Sequence, residues 1–239
     1  MKLVGERRAI SALIFSLFFL LFLSNAVLGG GETAKMMYAL AGCYGLAAFS
    51  LIAGYFWARW YAVGTGIFGL IVGVVGCWQL KTMEPIFVFF AGIHLVAALA
   101  LWGETMSVPY DGQTAWREKF HMDENAVQRL GRSVIRAGVS LPFVLLYALV
   151  PKQPGSVSGI ATVIAVGLVV GGFAGLVKMK TWGVLALGAA GALLVTVAGV
   201  HLARHGLGPA AIRPALGGSL LVAATAPFAT SMLRMLSLR

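Results

Sequence analysis

Charge is what this sequence has least of. Among 239 residues only 8 are Asp or Glu, and all charged residues together make up 11%. Soluble domains carry roughly 25%. A chain this poor in charge and 59% hydrophobic cannot hide its apolar side chains in a core of its own size. Lipid must solvate much of it. Cysteine is scarce too, with Cys43 and Cys77 alone, and no CxxC or Cys/His ladder exists. That excludes a zinc site of the usual spacing. No Walker phosphate loop, HExxH pair or GxSxG elbow occurs, so no motif fixes a reaction. Carboxylates inside apolar runs are absent, which argues against a proton-coupled pump.

Apolar runs and glycine are plentiful. Eight runs approach the roughly 20 residues that cross a ~30 Å hydrocarbon core: 9–28, 38–56, 62–80, 86–102, 133–150, 160–177, 182–202 and 214–233. The fifth is the weakest, with Arg136 near its start and Pro142 inside, so Arg136 is expected to snorkel to the interface. The expected fold is all-α and polytopic, with about eight transmembrane helices in two four-helix units, 1–102 and 133–239, joined by an aqueous loop over 103–132.

Lys/Arg placement sets the orientation. With the N-terminus in the cytoplasm, the inside segments hold Lys2, Arg7, Arg8, Arg59, Arg117, Lys119, Arg129, Arg132, Arg136, Lys178, Lys180, Arg234 and Arg239. The outside ones hold only Lys35, Lys81, Lys152, Arg204 and Arg213. Both ends are then cytoplasmic. The net charge of +10 is read as orienting and lipid-facing, with no nucleic-acid partner, because no basic patch is interleaved with stacking aromatics. Lys2, Arg7 and Arg8 before an apolar run ending Ser24-Asn25-Ala26 also fit a cleavable signal segment, but the run is longer than a usual signal core, so an uncleaved first helix is expected.

Trp60, Gly66, Gly69 and Leu80 each have an identical residue 122 positions later, at Trp182, Gly188, Gly191 and Leu202. Two parallel repeats would produce this, as would chance in a Gly/Ala/Leu-rich chain. Gly69 and Gly73, and Gly167, Gly171 and Gly175, form GxxxG steps that place small residues on one helix face for close packing.

Few residues could carry chemistry. His94 sits inside the fourth run, as a relay or metal or haem ligand, or as a neutral imidazole bonding helices together. A haem between His94 and His201 would need matched depths. Cys43 and Cys77 could meet near the outer surface as a disulfide or redox pair, or simply fill helix contacts. In the 103–132 loop, Pro109-Tyr110-Asp111-Gly112 reads as a turn and Asp123 as a helix cap. Trp116 and Phe120, then Val127, Leu130 and Val134, fit an amphipathic interfacial helix, offering a docking surface or a mere connector.

The function expected from these absences is non-catalytic: an accessory or scaffolding subunit of a bacterial inner-membrane assembly, with no cofactor, its partners being the bilayer and other membrane subunits or further copies of itself. Two alternatives stand beside it. One is a transporter or channel for a small neutral or apolar solute, which needs a polar-lined cavity near His94. The other is a membrane redox protein using Cys43, Cys77 or His94.

Overall fold

The computed structural model describes residues 3–110, 113–119, 123–152, 156–206 and 208–237. Asp111 and Phe120 lie outside the described residues. The described chain is all helix and connection. It divides into two compact units, residues 1–119 and 120–239. Residues 103–119 fall in the first unit and 120–132 in the second.

The first unit contains α1 (Val4–Leu28), α2 (Gly31–Ala53), α3 (Ala58–Leu80), α4 (Pro85–Ala100) and the short α5 (Thr114–Lys119). The second contains α6 (Glu124–Leu149), α7 (Val157–Val177), α8 (Thr181–His205) and α9 (Pro209–Ser237). Seven of these helices are long and apolar enough to cross a membrane, and the chain is a multi-pass membrane protein in contact with the bilayer. α4, at 16 residues, is shorter.

Within each unit successive helices run antiparallel, and the contacts show it. Along α3, Gly66, Gly69, Gly73 and Gly76 meet Ala98, His94, Ala91 and Phe87 of α4 in descending order. Along α8, Gly188 and Gly191 meet Thr225 and Val222 of α9. The first and fourth long helices of each unit also touch. Arg7 Nε donates to Ala100 O at 2.8 Å and Ser11 Oγ to Ala97 O at 3.3 Å. In the second unit Arg136 Nη1 donates to Ala223 O at 2.6 Å and Ser140 Oγ to Gly217 O at 2.8 Å. An Arg and a Ser four residues apart thus tie the first helix to the backbone of the fourth in both units.

The arginines near the chain start do more than orient it. Arg8 donates to Leu51 O and Ile52 O at the end of α2, and Arg59 to Leu101 O just past α4. The last carbonyls of a helix lack intrahelical donors and carry its negative dipole end. Guanidinium groups answer both needs.

Several boundaries depart from the apolar runs. α6 starts nine residues before its run, because Asp123 caps it, its Oδ1 accepting from Ala126 N at 2.6 Å. Helical hydrogen bonding continues through polar residues that an apolar count discards. As a result Val127, Leu130 and Val134 are not on a separate interfacial helix. They are buried on the core face of the α6 span. Trp116 is buried as well, stacked on Phe56 with centroids 4.3 Å apart, its Nε1 donating to Tyr110 O. The 103–119 segment folds back on its own unit, and these four side chains present no docking surface.

Candidate functional site

The first unit closes around one polar pair. His94 on α4 is fully buried, and its Nε2 lies 2.6 Å from Tyr44 Oη on α2. Its Nδ1 lies 2.7 Å from the carbonyl of Phe90, one turn earlier. A carbonyl only accepts, so Nδ1 carries the proton and Nε2 accepts from the tyrosine hydroxyl. Both nitrogens of a neutral imidazole are then used.

Every long helix of the unit contributes to the wall around the pair. α1 supplies Phe15, Phe18 and Phe22, with Phe18 4.4 Å from the His94 ring and Phe22 5.1 Å from the Tyr44 ring, centroid to centroid. α4 adds Phe90 at 4.2 Å from His94. α3 contributes Gly69, where even a methyl group would overlap the imidazole. Glycine is needed there because the ring lies where a side chain would be. Tyr61 on α3 is also buried and donates to Cys43 O at 3.3 Å.

Both imidazole nitrogens are already engaged. A metal on Nε2 would have to displace Tyr44 Oη, and among the described residues no group of three His, Cys, Asp or Glu could hold an ion. His201 belongs to α8 of the second unit. Cys43 and Cys77 are not joined: both are free thiols, Cys43 buried and Cys77 partly exposed. The physical reason is depth. α2 begins seven residues before its apolar run, so Cys43 lies twelve residues into it, ~18 Å, whereas Cys77 is three residues from the end of α3, ~4.5 Å. The run Gly64-Thr65-Gly66-Ile67-Phe68-Gly69 has the glycine spacing of a dinucleotide loop, but it lies inside α3 with no strand before it.

The GxxxG glycines sort by contact. Gly69 and Gly73 face α4, and Gly175 meets Gly183 and Trp182 of α8. A side chain at Gly171 would only graze Trp182 at 3.9 Å, and one at Gly167 would meet no other helix among the described residues. In the second unit Gly172 and Gly183 carry the close α7–α8 approach instead. An apolar cleft of about 420 Å³ lies between α8 and α9, lined by Val195, Ala198, Leu202, Ala211, Ala215 and Ser219 among others. No protein-family model, no curated protein and no solved structure matches the chain.

Proposed function

We propose that this chain is a non-catalytic accessory or scaffolding subunit of a bacterial inner-membrane assembly, spanning the bilayer eight times with both ends in the cytoplasm. The observation that carries this reading is the sealed core around His94. A solute pathway past that histidine needs a polar-lined cavity, and a relay or redox role needs an exchangeable nitrogen. Aromatic rings fill the first place, and Tyr44 and the Phe90 carbonyl occupy both nitrogens.

Two further observations support it. Gly42, Gly92, Gly167 and Gly199 lie mid-helix, and among the described residues nothing beyond their own helix backbone comes within 4 Å of where a Cβ would sit, which leaves backbone open to close approach by another helix. The eighth span is α4, which runs back antiparallel to α3, and crossing there keeps Lys and Arg concentrated on one side. Two parallel repeats fit the matched glycines, since Gly66 and Gly69 pack on the fourth helix as Gly188 and Gly191 do.

The test is mild-detergent purification of the tagged chain from its native membrane, followed by native mass spectrometry. Other membrane subunits at fixed stoichiometry are expected. A chain that emerges alone or only with copies of itself overturns the subunit reading, and uptake of small neutral solutes into liposomes then becomes the measurement of choice.

A further inference from the structure

In the second unit the Arg136 guanidinium meets no carboxylate among the described residues. Arg129, Arg132 and Arg136 recur at i, i+3 and i+7 along α6 and so share one flank of the helix. Buried Val127, Leu130 and Val134 occupy another. Arg136 lies thirteen residues before Leu149, the last residue of α6, or ~20 Å along the axis. If Leu149 marks one edge of a ~30 Å hydrocarbon layer, Arg136 is ~10 Å inside the opposite edge and Arg132 ~4 Å.

The Arg136 guanidinium is anchored there for a definite reason. Pro227 stands inside α9 and has no N–H, so the carbonyl four residues earlier, at Ala223, loses its helical donor. Arg136 Nη1 supplies one at 2.6 Å, which holds the guanidinium over the α6–α9 seam. Its remaining N–H groups meet no acceptor among the described residues, and Arg132 gives only Nε, to Gln128 O at 3.3 Å. Neither meets a carboxylate among the described residues. A partly buried guanidinium held at this depth is costly unless an anion neutralises it.

We propose that Arg132 and Arg136 together bind the phosphate of one anionic phospholipid at the α6–α9 seam. The guanidinium fork matches phosphate oxygens in pairs. The nearest anion source is the headgroup layer of the adjoining leaflet, toward which long arginine side chains at these depths snorkel. The lipid's acyl chains lie along the apolar surface below, where water-soluble anions do not partition.

The test uses the full chain, delipidated in detergent and equilibrated with equal amounts of phosphatidylglycerol and phosphatidylcholine, with bound lipid counted by native mass spectrometry. The wild type is expected to keep one phosphatidylglycerol in clear preference to phosphatidylcholine. Each of Arg132→Gln and Arg136→Gln is expected to weaken that retention about fivefold, from the roughly 1 kcal/mol that one basic residue contributes near an anionic surface. Arg204→Gln with Arg213→Gln, far along the chain at the other ends of α8 and α9, should leave it unchanged. Equal retention of both lipids overturns the proposal, as does unchanged retention in both arginine variants, loss of equal size in the control, or full displacement by millimolar inorganic phosphate. Should Arg136→Gln fail to fold, Arg132→Gln decides alone, and unchanged retention in that variant overturns the proposal.

Discussion

Gly69→Ala puts one methyl group into the most constrained place in the first unit. The added carbon overlaps the His94 imidazole, and that ring cannot swing aside freely. Its Nδ1 is held by the Phe90 carbonyl at 2.7 Å and its Nε2 by Tyr44 Oη at 2.6 Å. Overpacking of a tight core costs about 1–3 kcal/mol. If the ring moves, a buried hydroxyl and a ring nitrogen lose their partner, at about 1–3 kcal/mol. Alanine returns about 1 kcal/mol of helix propensity. The net expectation is destabilisation of about 2–4 kcal/mol. Gly167→Ala is the matched control, because no other helix among the described residues comes within 4 Å of its Cβ position. It should be neutral or stabilising by up to about 1 kcal/mol. Thermal unfolding in one detergent, followed by tryptophan fluorescence, measures both. At about 2–4 °C per kcal/mol for a chain of this size, Gly69→Ala should melt roughly 5–15 °C lower than the wild type. Equal melting of the two variants would refute the account of the His94 site.

Three other outcomes follow from the same contacts. Tyr44→Phe should cost about 1–3 kcal/mol by stranding His94 Nε2, whereas Tyr44→Phe with His94→Leu should cost less than the sum of the two single changes; strict additivity in the melts would contradict the hydrogen bond. Arg136→Gln should destabilise the chain by about 1–2 kcal/mol in the Pro227 background and distinctly less when Pro227→Ala restores the helical donor to Ala223, so a cycle showing no coupling would remove the proposed anchor. Maleimide should label Cys77 much faster than Cys43, and the mobility of the unreduced chain should match the reduced one; a mobility shift that Cys77→Ser abolishes would reveal a bond the structure does not contain.

The sequence disclosed the apolar spans, the Asp123 cap and the singular character of His94, because each is a local signal: run length, a capping residue type, or a lone polar group in an oily stretch. Tyr44 was not visible as its partner. Fifty residues separate them, and a tyrosine in an apolar run looks like any other aromatic until helix packing brings α2 and α4 together. Arg7, Arg8 and Arg59 were legible only as charges that orient the chain, since the carbonyls they cap belong to other helices. The packing of the 103–132 segment is hidden for the opposite reason. Its polar composition suggested an independent element, while burial of Trp116 and the unbroken run of α6 divide it between the two units.

The division at Lys119 and Phe120 bears on how the protein is made. Insertion into a membrane proceeds from the N-terminus as the ribosome works. The Tyr44–His94 bond and its aromatic surround draw only on residues before that boundary, so the first half can reach its final packing while the second is still being translated. A product that ended near this point would still hold every described residue of the Tyr44–His94 surround. By the same logic, the gene should tolerate being split there into two co-expressed reading frames.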